Sequence, residues 1–211
     1  MNKLIKVPYV KQPRGTAKCG AACAAMIIKY YGSNKTDLDE IWGAISAISP
    51  EFGREYCRTF KIGNYLTKNH FDCVTVKYTS LKNLLEFCNI NEIAPIVNHK
   101  SFEDRRSGHF SVIKNISDGN IFINDPENKK RLSVPLSELE IMAIRENNQD
   151  EVGGNTAVIP IFDKFESTSQ KCTSCNEVIN TSFTNAINTV YGQSIVEADL
   201  CQSCDVFNFV E

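Results

Sequence analysis

The stretch QPRGTAKCGAACAAMIIKYYG, residues 12–32, decides how the rest of the chain is interpreted. From Cys19 onward most residues are good helix formers, and apolar side chains continue through Tyr31 on nearly every side of the predicted helix. A helix that is apolar almost all round is a buried one. Gly32 predicts its end. The sequence therefore predicts a buried helix that starts at Cys19.

The position of Cys19 predicts a reactive thiol. The unpaired N–H groups and the positive dipole end at the start of a helix favour a thiolate over a thiol. Gly20, the next residue, lets another segment of chain approach closely. Cysteines on apolar helices are more often small core residues, and that is our interpretation of Cys23, one turn further on. For Cys19 we predict a nucleophile.

Length, composition and charge narrow the class of protein. The chain has 211 residues, of which 42% are hydrophobic and 23% charged, values typical of a globular domain with or without a small module. A net charge of -2 provides no positive surface for nucleic acid or an anionic membrane. No apolar run approaches the roughly 20 residues of a membrane helix, and residues 1–9 lack the features of a signal peptide. We expect a cytoplasmic protein without a nucleic-acid partner or a membrane segment.

Helices dominate the first half of the chain and short strands the second. Thr36 is predicted to cap a second helix, whose apolar positions run from Ile41 to Ile48. The other predicted helices cover residues 56–69, 81–88 and 136–144. The predicted strands cover residues 71–78, 93–98, 109–116, 120–124, 130–134 and 156–162. This order predicts an α+β fold with an antiparallel sheet.

A thiol that acts as a nucleophile needs a base, and the base needs a group that orients it. The chain has three histidines, of which His109 begins an apolar strand. Asp125 ends the next strand, after a hairpin, and adjacent antiparallel strands can place the two side chains next to each other. We predict His109 as the base and Asp125 as its partner, and His99 stays an alternative base.

These motifs resemble those of a known family. Gln12, the run Lys18-Cys19-Gly20-Ala21-Ala22-Cys23 and the later Tyr30-Tyr31-Gly32 are similar to the opening motif of the C39 and C39-like peptidases, which are papain-like cysteine proteases. Gly108-His109-Phe110 and Ile123-Asn124-Asp125-Pro126 are similar to the histidine and aspartate motifs of the same family. The resemblance covers roughly residues 5 to 162.

The resemblance implies a fold and a set of roles. The fold would be papain-like, with a helical half, an antiparallel sheet and an active site in the cleft between them. Cys19 would be the nucleophile, Gln12 the donor to the oxyanion, His109 the general base and Asp125 its partner. The substrate would be a peptide or protein, and family members often cut after a Gly-Gly pair. The family often has aspartate before the cysteine, where this chain has Lys18.

Two further functions stay open at this stage. Papain-like proteins also include acyltransferases and transpeptidases, which use the same acyl thioester but pass it to an amine. A catalytically silent module that binds a peptide in its cleft is the alternative from another class.

The end of the chain contains a second cluster of cysteines. Ser167 to Gln170 is predicted to be a linker, followed by two Cys-x-x-Cys pairs that are 25 residues apart, namely Cys172 with Cys175 and Cys201 with Cys204. Two such pairs are typical of a tetrahedral structural Zn²⁺ site, while redox-active pairs or local disulfides stay alternatives. We predict a peptidase domain over residues 1–165 and a zinc-binding module over residues 166–211, which can also bind a protein partner.

Overall fold

The computed structural model describes residues 4–32, 36–50, 53–145 and 153–210. Within these residues it has six helices, in chain order α1 (Cys19–Tyr30), α2 (Leu38–Ile45), α3 (Thr59–Lys68), α4 (Leu81–Ile90), α5 (Leu136–Ala143) and α6 (Ser182–Tyr191). The strands are β1 (Ser46–Ile48), β2 (Glu55–Cys57), β3 (Cys73–Tyr78), β4 (Ile96–Lys100), β5 (Gly108–Ser117), β6 (Asn120–Asn124), β7 (Ser133–Pro135), β8 (Thr156–Pro160), β9 (Ser169–Lys171), β10 (Val178–Asn180), β11 (Val196–Leu200) and β12 (Phe207–Phe209).

The predicted buried helix is present as α1 and begins at Cys19, as expected. Its first ten residues are all buried, which follows from the run of small and aliphatic side chains. Gly20 is placed where a side chain would collide with a neighbour, since a Cβ there would lie 2.7 Å from the Sγ of Cys57. The absence of a side chain at position 20 therefore allows β2 to pack against the first turn of α1.

An eight-stranded antiparallel sheet with the order β12-β11-β3-β8-β4-β5-β6-β7 forms the middle layer. Helices cover both faces, so neighbouring residues of one strand enter different cores. Ile96 and Val112 pack with α1, α2 and α3, whereas Val97 and Ile113 pack with α4, α5 and α6. The strands are apolar on both faces for this reason, and the α+β, papain-like fold class is confirmed.

The second helix differs from its prediction at both ends. Asp37, not Thr36, caps it, because the Asp37 carboxylate accepts hydrogen bonds from the N–H groups of Asp39 at 2.8 Å and Glu40 at 3.3 Å. The predicted last turn is replaced by β1, which pairs with β2. The isoleucines at positions 45 and 48 fit a helical spacing, but pairing with β2 decides the conformation of the final three residues.

The C-terminal residues extend the sheet of the first part of the chain. β11 pairs with β3, and Phe183 and Ile187 of α6 pack in the core on the α4 side. The eight-stranded sheet therefore contains strands from both sides of residue 165. The division into two domains at that residue stays a prediction. Among the described residues, no helix combines the length and the hydropathy that crossing a membrane requires.

Candidate active site

A groove of about 600 Å³ opens where the start of α1 meets the start of β5. Gln12, Cys19 and His109 all line it, although they come from three distant parts of the chain. The opposite walls are formed by β2, through Glu55 to Cys57, and by the loop between β4 and β5. The groove therefore contains three of the four residues that the sequence predicts as the site, and the fourth, Asp125, lies behind His109.

Cys19 is the first residue of α1, and its side chain is only 6% exposed. Its Sγ atom lies 3.8 Å from the Ala17 carbonyl, and the thiol is close enough to the His109 ring to raise the pKa of that ring. Among the described residues no side chain caps the start of α1. The first N–H groups of the helix, beside the groove, therefore have no side-chain acceptor. The thiol consequently lies beside both a base and a cluster of N–H donors.

His109 lies between Cys19 and Asp125. The Nε2 atom of His109 lies 2.9 Å from Oδ1 of Asp125, which leaves Nδ1 as the ring nitrogen for the thiol. The strand register explains the pairing, because Val112 of β5 lies opposite Asn124 of β6 and places the two side chains at the same end of the hairpin. The imidazole is thus bonded to the carboxylate and lines the same groove as the thiol.

The surroundings shift the pKa values of both ionisable partners in the direction that favours an ion pair. Burial alone would favour a neutral His109, but hydrogen bonds to Asp125 and Cys19 raise its pKa to about 10. Burial would also raise the pKa of Asp125, but hydrogen bonds from His109, the Glu127 N–H group and Arg131 lower it to about 2. An imidazolium facing a carboxylate is the favoured state of this pair near neutral pH.

Gln12 is buried at the edge of the groove, just before α1. Its backbone N–H group donates to the carbonyl of Pro126 at 3.0 Å, so the segment is anchored beside Asp125. The side-chain Nε2 donates to the Thr16 carbonyl at 3.2 Å, and within the described part of the chain Oε1 has no hydrogen-bond partner. This places a side-chain amide next to the residues that lead into Cys19.

His99, the alternative base, lies directly opposite His109 in the strand register but is occupied elsewhere. Its Nδ1 is 2.6 Å from the Lys100 carbonyl and its Nε2 is 3.0 Å from the Ser111 hydroxyl. Burial and the neighbouring His109 lower its pKa to about 3, so the ring stays neutral. These contacts favour His109 over His99 as the candidate base.

Two charged contacts near the site were not predicted. The ammonium group of Lys18 pairs with Asp39 on α2, which directs this charge away from the thiol. Arg131 forms an ion pair with Asp125 and also with Glu103. The contact between Arg131 and Asp125 could not be predicted from local sequence, because Arg131 follows a polar turn, where an exposed side chain is expected.

The four cysteines near the end of the chain lie together. Their sulfur atoms are all within 4.8 Å of one another. The Cys172 and Cys204 sulfurs are 3.5 Å apart, and those of Cys175 and Cys201 are 3.6 Å apart. A tetrahedral ion with metal–sulfur bonds of about 2.3 Å requires sulfurs about 3.8 Å apart. The spacing fits, and the cluster can hold a metal ion.

The two cysteine-bearing turns share one backbone geometry. In the first turn the N–H group of Asn176 donates to the carbonyl of Cys172 at 3.0 Å, and in the second the N–H group of Asp205 donates to Cys201 at 3.0 Å. Asn176 and Asp205 both have left-handed backbones, with φ of 64° and 63°. Each turn therefore directs its pair of thiols toward the other turn, which brings the four sulfurs together.

A cysteine at the start of a buried helix, in one groove with a histidine that is bonded to an aspartate, is the arrangement that the resemblance to papain-like cysteine peptidases implies. The chain matches the family model described as "Peptidase C39 family" over residues 6–141. It therefore belongs to the peptidase C39 family and is a cysteine-type peptidase, a hydrolase.

Solved structures with the same fold include two with TM-scores above 0.5. The peptidase domain of Streptococcus ComA, a bifunctional ABC transporter involved in a quorum-sensing pathway, is 17% identical, with a TM-score of 0.53 over 72% of this chain and 96% of that chain. A C39-like peptidase from Bacillus anthracis is 16% identical, with a TM-score of 0.54 over 74% and 96%. At these identities the likeness shows the fold. No curated protein sequence matches the chain.

Proposed function

We propose that Cys19, His109, Asp125 and Gln12 are the catalytic residues of this peptidase, which cleaves a peptide or protein through an acyl-thioester intermediate. The observation that supports this most strongly is the position of the His109 ring, which is hydrogen-bonded to Asp125 and lines an open groove together with Cys19. That arrangement is what a thiol nucleophile requires.

The reaction begins with the Cys19 thiolate and the His109 imidazolium. The thiolate attacks the peptide carbonyl carbon, a C–S bond forms, and the carbonyl electron pair moves to the oxygen. The Gln12 side-chain amide and the Cys19 backbone N–H group stabilise this oxyanion, at about 3 kcal/mol for each donor. The use of Gln12 as a donor rests on the family resemblance and on its place at the edge of the groove.

The intermediate then collapses with loss of the amine. His109 gives its proton to the leaving nitrogen as the C–N bond breaks, which leaves a thioester on Cys19 and a neutral ring. The neutral ring next takes a proton from water as the water oxygen attacks the thioester; the C–S bond breaks, and the new carboxylic acid is released together with the Cys19 thiolate, which faces the imidazolium again. The resemblance to the C39 family favours a substrate with a Gly-Gly pair before the cleaved bond.

Selective labelling of Cys19 tests the proposal. At pH 6 we expect iodoacetamide to modify Cys19 about 100-fold faster than free cysteine, because a free thiol with a pKa of about 8.5 is almost entirely protonated there. Cys23 is the internal control, since it is fully buried and burial raises its thiol pKa. Mass spectrometry of the digested protein locates the label. A rate equal to that of free cysteine would favour the silent binding module.

A peptide-cleavage assay separates hydrolysis from acyl transfer. A fluorogenic peptide ending in Gly-Gly is incubated with the protein, with and without an added primary amine. A peptidase releases the free peptide acid in both samples, whereas an acyltransferase gives an amide product whose yield depends on the amine.

Peptide cleavage should fail at high pH because His109 loses its proton. The pKa of about 10 means that the ring stays protonated through pH 9 and becomes neutral as the pH rises through 10, so protonation of the leaving amine is then lost. We expect kcat/KM to show an alkaline limb near pH 10. Circular dichroism at each pH checks that the protein remains folded. An alkaline limb near the ordinary histidine pKa of about 6.5 would contradict the proposed ion pair.

For the four-cysteine cluster we propose a structural Zn²⁺ ion. Four thiolates complete a tetrahedral shell and leave no open position for catalysis. The sulfur of Cys172 also faces the N–H group of Ser174 at 3.4 Å and the Asn208 side-chain amide at 3.7 Å, as metal-bound thiolates usually do. On this proposal residues 166–211 form a metal-dependent folding unit attached through β11. Its binding of a protein partner and a cytoplasmic location stay predictions.

A further inference from the structure

Arg131 lies on the side of Asp125 that faces away from His109. Its Nη1 atom is paired with Oδ2 of Asp125, while Oδ1 accepts hydrogen bonds from His109 and from the Glu127 N–H group, each at 2.9 Å. Both oxygens of the buried carboxylate are therefore occupied. A carboxylate held at both oxygens cannot turn about its terminal bond without breaking a charged hydrogen bond.

Arg131 is itself held from outside. Its Nη2 atom lies 2.9 Å from the carboxylate of Glu103, and its guanidinium lies over the ring of Phe102 at 4.4 Å. The Arg131 side chain is 20% exposed and the Glu103 side chain 56% exposed. The contacts thus run from the buried Asp125 through a half-buried guanidinium to a residue at the surface.

Glu103 and Phe102 belong to the loop between β4 and β5, which forms one wall of the groove. The loop is tightly bonded internally, because the carboxylate of Asp104 accepts from the N–H groups of Arg106 at 2.8 Å and Ser107 at 2.9 Å. The ends of the loop are joined by the hydrogen bond from the Ser101 N–H group to the Ser107 carbonyl, at 2.7 Å. Arg131 therefore connects the carboxylate behind His109 to a rigid wall of the groove.

We propose that Arg131 is a positioning residue of the peptidase: through Asp125 it keeps the His109 ring in line with Cys19, and Glu103 in turn keeps Arg131 in place. This inference rests on the proposed roles of the three residues in catalysis. Without the guanidinium, Oδ2 of Asp125 would be a buried charged atom without a partner, and the carboxylate would turn toward water. The ring would then lose its fixed orientation.

Arg131→Gln is expected to lower kcat for the Gly-Gly peptide by between about 10- and 100-fold, since small misplacements of reacting groups have effects of that size. KM should change by less than a factor of two, because Arg131 does not line the groove. Arg131→Lys should recover most of the loss. The matched control is Arg105→Gln, because the Arg105 guanidinium lies on the loop between β4 and β5, bonds Glu138 of α5 at 2.6 Å and is not one of the groups bonded to Asp125.

A spectroscopic measurement separates positioning from general destabilisation. The Nε2 proton of His109, bonded to Asp125, should give a resolved downfield ¹H resonance in the wild-type protein. We expect the resonance to broaden or vanish in Arg131→Gln and to persist in Arg105→Gln. Glu103→Gln should lower kcat about threefold, but have no further effect in the Arg131→Gln protein, because Glu103 acts through Arg131.

The outcomes distinguish this inference from the proposed function. If wild-type protein is labelled at Cys19 and cleaves the peptide, but Arg131→Gln keeps the wild-type kcat and ¹H resonance, the positioning role is overturned and the catalytic residues stand. If the wild-type protein shows no selective labelling, the proposed function itself fails. Should Arg131→Gln not fold, Glu103→Gln at the surface decides, and a kcat equal to wild type overturns the inference.

Discussion

Cys19→Ala is expected to abolish peptide cleavage, with a fall in kcat/KM of at least about 10⁴-fold, because the attacking atom is lost and no thioester can form. The protein should still fold. The substitution removes one sulfur where the core on the α1 side meets the groove, and it leaves the Cβ atom in place. The melting temperature should therefore shift by no more than about 2–4 °C.

Cys23→Ala is the matched control, since it removes the same atom one turn further along α1. The Cys23 thiol is fully buried and faces the Phe110 carbonyl at 3.4 Å, away from the groove. We expect it to lower the free energy of unfolding by about 1 kcal/mol and to leave kcat/KM unchanged. Cleavage rates for both variants, measured with the Gly-Gly peptide, decide the matter. Cleavage by Cys19→Ala at the wild-type rate would remove this residue from the mechanism.

Features that depend on neighbouring residues could be predicted from the sequence. The start of α1 follows from a local change from polar to helix-forming apolar residues at Cys19. The contact between His109 and Asp125 follows from two strands joined by a short turn, so that only one hairpin register has to be assumed. Both inferences use interactions close in the chain, where local patterns carry most of the information.

Contacts between distant segments could not be predicted in this way. The pairing of β11 with β3 joins residues 196–200 to residues 73–78, which are far apart in the chain, and either strand would satisfy its pattern beside another partner. The contact of Arg131 with Asp125 depends on a turn conformation that many polar sequences can adopt. The replacement of the last turn of α2 by β1 likewise depends on the position of β2, because Ile45 and Ile48 fit both conformations.

Removing the proposed metal ion should have the second large effect. Metal binding supplies about 10 kcal/mol or more to small zinc domains, and the residues after 165 have only a small core of their own around Cys172, Ile179 and Cys201. We expect Cys201→Ser to lose the ion and to lower the melting temperature by more than about 10 °C. A loss of 1 kcal/mol lowers the melting temperature of a domain of this size by about 2–4 °C, and the free energy of metal binding is several times larger.

Metal analysis and spectroscopy test this directly. Purified protein should contain one zinc ion per chain, and cobalt-substituted protein should show the absorption bands of a tetrahedral site with four thiolates. Cys88→Ala is the control, because Cys88 is buried in the core on the α4 side and lies outside the four-sulfur cluster. It should retain the ion. Wild-type protein without bound metal, or with all four thiols open to alkylation, would contradict the proposal.

Loss of the metal ion should also affect catalysis, because the turn that carries Cys201 and Cys204 packs against α3. The Gln202 carbonyl accepts a hydrogen bond from Asn64 of α3 at 2.7 Å, and Asp205 forms an ion pair with Arg58, just before α3. Directly before Arg58 lies β2, a wall of the groove. Loss of the ion should therefore free this wall to move. We expect KM to increase even at temperatures well below the melting temperature, where the protein is still folded. If Cys201→Ser melts early but keeps the wild-type KM at low temperature, the cluster stabilises the sheet edge without influencing the groove.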